Sequence, residues 1–186
     1  MEVIKEALTF DDVLLVPRYS SILPSETNLH IDLGHNLKLR APFLSSAMDT
    51  VTESTMAIAI AQNGGLGIIH RNLSTAEQVN EVKKVKKKNL LVGAAVGTSI
   101  EDLKRTKSLI DAGVDLIVID TAHGHSDKVV KILSKIKKLN FKKPICVGNI
   151  ATSEAALKLY NEGADILKVG IGPGSICTTR MIAGIG

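Results

Sequence analysis

Short apolar runs rich in Val, Ile and Leu alternate along this chain with amphipathic stretches of helical length, recurring every ~20 to 30 residues. The runs are Pro42 to Met48, Leu66 to His70, Leu91 to Val96, Leu116 to Asp120, Ile145 to Asn149 and Ile166 to Gly170. Their near-continuous apolarity predicts strands covered on both faces, and therefore a parallel sheet. Between them the spacing predicts helices at Glu53 to Gln62, Thr75 to Lys86, Ile100 to Ala112, Ser126 to Leu139 and Ser153 to Glu162. Boundary residues agree with this division. Ser74 with Glu77 forms a capping-box pair, Thr152 or Ser153 can cap the last helix, and Gly64, Gly113 and Gly163 follow helices as left-handed stops. Ile100, Leu103 and Ile110 make one apolar stripe, and Val129, Val130, Leu133 and Ile136 another.

Six strands in series with helices between them predict an α/β fold, either a doubly wound sheet or a (β/α)8 TIM-type barrel of which about six strand-helix units are present. Polar residues favour the barrel, because they gather at the C-terminal end of nearly every strand. They are Ser45, Ser46 and Asp49; His70, Arg71 and Asn72; Thr98; Asp120, Thr121 and His123; and Asn149. A barrel collects those ends on one face, whereas an open sheet scatters some of them.

The composition narrows the function classes. With 186 residues and 45% hydrophobic content the chain can bury the core of one ordinary domain. No run approaches the roughly 18 apolar residues needed to span a bilayer, and the first residues lack a secretion-type apolar stretch, so a cytoplasmic protein is expected. Cys146 and Cys177 lack metal-type spacing, and neither a disulfide framework nor a zinc site is suggested. The net charge of +4 comes largely from lysines at 83 to 88 and 135 to 143, while aromatic residues make up only 3%. Base stacking needs aromatics, so these lysines read as solvated helix faces rather than a nucleic-acid surface.

The chemistry concentrates in Val169-Gly170-Ile171-Gly172-Pro173-Gly174-Ser175-Ile176-Cys177-Thr178-Thr179-Arg180. Its three glycines predict positive φ and backbone N–H groups that can approach a phosphate. Cys177 on the rim of such a cradle would have its thiol shifted toward the thiolate, with Arg180 as a helper. The alternative for a lone cysteine is a small buried hydrophobe. Ser46 and Thr179 could equally be helix caps, and Asp120 could bind a neighbouring loop. Met48 suits a core gap, Cys146 suits strand packing, and His70, His123 and His125 read as loop or cofactor-edge residues rather than metal ligands.

Taken together these segments resemble the inosine-5′-monophosphate dehydrogenase family. The resemblance rests on Leu8 to Pro17, Ser45 to Glu53, Ile119 to His125, Gly148-Asn149-Ile150 and the cysteine loop, in that order. It implies NAD-dependent oxidation of IMP to XMP, a step of guanine nucleotide biosynthesis, through a covalent thioimidate on Cys177. It further implies that Ser175 and Gly174 contact the IMP phosphate, Asn149 the purine nucleotide, and Ser46 with Met48 the base. Asp120 and Thr121 would hold the NAD ribose, Gly170, Ile171 and Gly172 would border the nicotinamide, and Thr179 would support the cysteine. Carbonyls of Gly172, Gly174 and Cys177 would bind a potassium ion, and homotetramers are expected.

The family usually carries paired regulatory modules where this chain has only residues 82–89, so residues 1–186 are expected to form a single catalytic barrel domain, incomplete at its C-terminal end. The family's ribose-binding aspartate and water-activating arginine match nothing up to Gly186, so these residues alone are expected to turn over poorly. Two rivals stand beside this expectation: GMP reductase, which shares the cysteine loop and uses NADPH, and a non-catalytic nucleotide-binding fragment.

Overall fold

A computed structural model describes Leu8 and residues 12–174 and 176–186. Five parallel strands form one sheet in the order β3 (Gly67–Ile69), β4 (Val92–Val96), β5 (Leu116–Asp120), β6 (Ile145–Ile150) and β7 (Ile166–Val169). Helices α1 (Ser54–Gln62), α2 (Thr75–Lys86), α3 (Ile100–Asp111), α4 (Asp127–Lys137) and α5 (Ser153–Asn161) alternate with them, and α6 (Thr179–Ala183) follows β7. A parallel Leu44–Leu66 bridge brings the expected first strand alongside β3. Pro42 to Met48 is nevertheless not a strand: that single bridge is its whole ladder, because its remaining polar groups turn into the loop that precedes α1.

Strand order and core composition decide for the barrel. The sheet runs in unbroken sequence order, whereas a doubly wound sheet reverses at a switch point. The buried side chains also divide by face. Ile117 and Ile119 of β5 and Ile145 and Val147 of β6 pack with Val82, Val85, Leu109, Leu133, Ile136 and Leu159 of the helices. Leu116 and Val118 of β5, Ala95 of β4, Ile68 of β3 and Cys146 pack instead with Leu37 and Leu39, and no helix residue joins them. Helices therefore cover one face only, and the other is a barrel interior plugged by an antiparallel ribbon of β1 (Ile31–Asp32) and β2 (Lys38–Leu39). This ribbon escapes sequence reading because two-residue strands carry no periodicity.

Capping chemistry sets the helix starts. Ser74 accepts from the Glu77 N–H while the Glu77 carboxylate accepts from the Ser74 N–H, and Ser99 with Asp102 repeats the arrangement on α3. Thr152 caps α5 through the Ala155 N–H, and Gly64, Gly113 and Gly163 all adopt positive φ. The stripe assigned to α3 is corrected: Ile100 lies out in solvent, and Thr106 and Leu109 are the fully buried positions, because the register of the helix turns them to the sheet. On α4 the buried face is Val129, Ile132, Leu133 and Ile136, with Val130 at its margin.

The N-terminal ends of the strands carry a repeated staple. The Asp115 N–H donates to the Val92 carbonyl, and its carboxylate accepts from the Val92 N–H at 3.0 Å and from Lys86 Nζ at 2.7 Å. Two strands on, Asp165 does the same with Ile145 and Lys137, and His35 of the ribbon adds a 2.9 Å contact. Thus Lys86 and Lys137 are tied into the fold and Lys84 pairs with the buried Glu81, while Lys83, Lys87 and Lys88 are solvated. Residues 87–91 form a short join into β4, in which Asn89 takes the left-handed conformation.

Candidate active site at the C-terminal rim

After β7 the chain turns sharply enough to need glycine. Gly170 has φ +116° and Gly172 φ +54°. A Cβ on Gly172 would stand 3.3 Å from both Cys177 Sγ and Arg180 Cγ and 3.4 Å from Thr179 Cβ, so three side chains close over its α-carbon. Gly174 departs from expectation, since it does not adopt positive φ; its role is openness, with nothing within 4 Å of an added Cβ. The loop is pinned by the Cys177 N–H donating to the Gly174 carbonyl at 3.0 Å and by Arg180 Nε donating to the Ile171 carbonyl at 2.9 Å. Ser175 lies outside the described residues.

The two free thiols of the chain occupy opposite environments. Cys177 is exposed, and its Sγ lies 3.2 Å from Thr179 Oγ1. Hydrogen bonds from the Thr179 hydroxyl and backbone pull its thiol below the usual range, and Arg180 adds a smaller pull. Thr179 is therefore the principal influence and Arg180 the lesser one. Thr179 caps nothing: it is the first residue of α6, and no side chain caps that helix. Cys146 sits in β6 on the barrel interior, where burial pushes its thiol up to about 12.

Three strand ends meet in register beside this loop. Asp120 pairs with Gly148 across the β5–β6 ladder, and Gly148 with Lys168 across β6–β7. Lys168 Nζ reaches over the glycine to Asp120 Oδ1 at 3.1 Å. Asp120 thus binds across β6 to a residue of β7. Thr121 donates its hydroxyl to the Gly148 carbonyl at 2.8 Å, and Asn149 Nδ2 donates to the Gly170 carbonyl at 2.9 Å. Asn149 Oδ1 is buried and has no partner among the described residues. A cleft of about 350 Å³ lies alongside, lined by His123, His125, Ile150, Thr152, Ile171 and Gly184.

Ser46 and Met48 lie on the loop between the Leu44–Leu66 bridge and α1, at the other edge of the sheet from Cys177. Met48 is 54% exposed, so it fills no core gap, and Ser46 caps no helix because Glu53 precedes α1. The loop is fastened from within by Thr52, which is fully buried, and from outside by a 3.0 Å bond from Asn72 Nδ2 to Asp49. His70, also buried, accepts the Asn72 N–H at Nδ1 and meets Glu53 at Nε2. Hydrogen bonds therefore join Thr121, Gly148, Asn149 and Gly170 in one group, and pair Asp120 with Lys168, Ile171 with Arg180 and Cys177 with Thr179. Ser46 and Met48 share their rim without a direct bond to any of these.

Sequence reasoning passed over Lys168 and Thr52. A lysine within Ile166-Leu167-Lys168-Val169 was the available signal, since the two-residue period puts it on the same face as Ile166. Nothing marked Thr52 in advance. Among the described residues no group of three or more His, Cys, Asp or Glu is placed to hold a metal ion, so a cation at this rim would have to rely on backbone carbonyls. No helix is long and apolar enough to cross a membrane.

Comparison with known proteins identifies the family. The family model described as "IMP dehydrogenase / GMP reductase domain" matches residues 7–186. The chain is 45% identical to inosine-5′-monophosphate dehydrogenase of Borreliella burgdorferi, covering 100% of the chain and 58% of that protein. It is 44% identical to the enzyme of that name from Cryptosporidium parvum, over 98% of the chain and 56% of the relative. Against that of Aquifex aeolicus the figures are 33%, 98% and 64%. The chain thus spans between about half and two thirds of these relatives.

Proposed function

Because the chain belongs to the IMP dehydrogenase / GMP reductase family, we propose that it supplies the thiol and nucleotide-binding rim of an enzyme that oxidises IMP to XMP in guanine nucleotide synthesis. The observation that carries this is the exposed Cys177 thiol, drawn toward thiolate by Thr179, on a loop that opens at Gly174. The thiolate adds to C2 of the hypoxanthine ring, C2 gives up its hydrogen as hydride, and water later cleaves the resulting thioimidate to release XMP and the thiol. NAD bound at this rim would accept that hydride. Loop N–H groups around Gly174 and Ser175 receive the phosphate, Ser46 and Met48 support the base, and the unpartnered Asn149 Oδ1 accepts from the nucleotide.

The residues present suit both groups that the chemistry needs. Asp120 keeps one oxygen on Lys168, and its carboxylate would accept from a ribose diol beside Thr121 and the Gly170 to Gly172 turn. Carbonyls of Gly172, Gly174 and Cys177 would offer a neutral oxygen set, which suits potassium, a large and weakly hydrated ion, better than a divalent ion. Assembly into homotetramers is supported by apolar surface on the N-terminal segment, where Leu14 and Leu15 are 96% and 97% exposed. Sedimentation tests that point.

The function is tested by mixing the chain with IMP and NAD and measuring NADH together with the intact mass. A mass gain on Cys177 with stoichiometric or continuing NADH supports oxidation of IMP, and an inert Cys177 that IMP does not protect from alkylation refutes it. The matching family model also covers GMP reductase. Release of ammonia from GMP and NADPH would decide for that activity.

A further inference from the structure

We infer that Thr52 is a positioning residue for the purine base: its buried hydroxyl ties both ends of the loop that presents Ser46 and Met48. This rests on the IMP reading above for the identity of the ligand, and on geometry for the tie itself. Thr52 Oγ1 donates to the Ser46 carbonyl at 2.6 Å and lies 3.0 Å from Ser45 Oγ. Ser45 Oγ in turn accepts the Ile68 N–H of β3 at 3.2 Å. The Thr52 N–H donates to the Met48 carbonyl at 3.1 Å, and its own carbonyl accepts the His70 N–H at 3.3 Å.

One fully buried residue therefore draws the start, the middle and the end of residues 45–52 onto the end of β3. Ser46 and Met48 remain exposed on the outside of this tie, where a flat ring can lie on them. Without it, the Ser46 carbonyl loses its buried donor, and the middle of the loop is held by the backbone turns from Val51 and Thr52 to Met48 and the Asn72–Asp49 contact, while the bonds of Ser45 and of the Thr52 carbonyl to the β3 end remain. The side chain itself, having no exposed surface, does not touch ligand.

The test compares the chain with Thr52→Val and Thr52→Ser. IMP affinity is read from protection of Cys177 against iodoacetamide, and loop order from hydrogen exchange of the Val51 and Thr52 amides. Thr52→Val is expected to weaken IMP binding and speed exchange roughly tenfold, the equivalent of one buried hydrogen bond. Its Cys177 alkylation rate without IMP should stay unchanged, since no bond among the described residues joins this loop to the cysteine loop. Thr52→Ser keeps the hydroxyl and is expected to restore binding to within about threefold. Should Thr52→Val not fold, Thr52→Ala replaces it, because the smaller side chain overpacks nothing. Unchanged IMP affinity in the hydroxyl-free variant overturns the inference while leaving the IMP reading intact. No IMP protection in the unmodified chain refutes both, and unchanged amide exchange refutes the tie whatever binds there.

Discussion

Replacing Gly148 by alanine tests whether the three-strand register at the rim depends on a missing side chain. An alanine Cβ would stand 2.6 Å from Lys168 Cβ and 2.7 Å from the Lys168 carbonyl oxygen. The lysine stem could swing aside, but its Cβ and carbonyl belong to β7 and move only with the strand. Overpacking of this kind costs about 1–3 kcal/mol. Displacing the Lys168–Asp120 pair adds ~0–1 kcal/mol, because its side chains are 43% and 27% exposed and solvent screens them. Alanine also restricts the unfolded chain, which returns about 0.4–1 kcal/mol where the native backbone suits it, and Gly148 is not at positive φ. At the middle of these ranges the backbone clash outweighs that return, leaving a net loss of about 2 kcal/mol.

Urea unfolding followed by far-ultraviolet circular dichroism measures this directly, the chain having no tryptophan to report by fluorescence. Lys168→Ala alone is expected to cost under ~1 kcal/mol. Combined with Gly148→Ala it should rescue nothing, since both clashing atoms survive in alanine. A Gly148→Ala protein within ~0.5 kcal/mol of the unmodified chain, or one rescued by Lys168→Ala, would refute the register as the reason for this glycine.

Four further outcomes are expected. Thr179→Val removes the hydroxyl that favours the Cys177 thiolate, so the pH profile of Cys177 alkylation should move to higher pH, while Cys146 stays unreactive until the protein unfolds. Asp115→Ala should destabilise by about 3 kcal/mol, because it strips a buried N–H and a half-buried ammonium of their partner. Exposed Lys104→Ala should change stability by under ~0.5 kcal/mol. At Asp165 burial works to raise the carboxyl, but the Ile145 N–H, His35 and Lys137 outweigh it and hold the group below its usual value. Its contribution is therefore present above the unfolded value of about 3.9 and is lost as pH falls through the lower folded value. The stability gap between the unmodified chain and Asp165→Asn should shrink below about pH 4, and a gap independent of pH would contradict that sign.

What was legible in the sequence follows how local the causes are. Helix α2 is predicted at both ends, because Ser74, Glu77 and the terminal lysines act within a turn or two of their own positions. Strand β5 is equally plain, being apolar on both faces. The barrel itself was legible from polar residues at strand ends, which share a rim only if the sheet curls. Lys168 meeting Asp120 was not, since the pair spans 48 positions and depends on Gly148 standing between them. Thr52 was hidden in the same way, its partners lying on both sides of a loop whose course no periodicity fixes. Ile100 misled because it begins α3, where the first turn projects past the sheet.

The two ends of the strands show why the chemistry sits where it does. At the N-terminal ends, each of Asp115 and Asp165 answers a strand N–H and a lysine, and the β1–β2 ribbon seals the interior, so backbone polar groups there are satisfied by the fold itself. At the C-terminal rim, few bonds hold the cysteine loop, Gly174 is open, and Asn149 Oδ1 has no partner among the described residues. A polar group left without a partner can meet a ligand's donor without first breaking a native bond. The cysteines make the contrast within one chain: the same thiol is silenced by a β6 position between packed strands and awakened at a loop position beside Thr179. A thiol's readiness to ionise thus follows its placement: burial between strands opposes it at Cys146, and hydrogen bonding by Thr179, two residues away, favours it at Cys177.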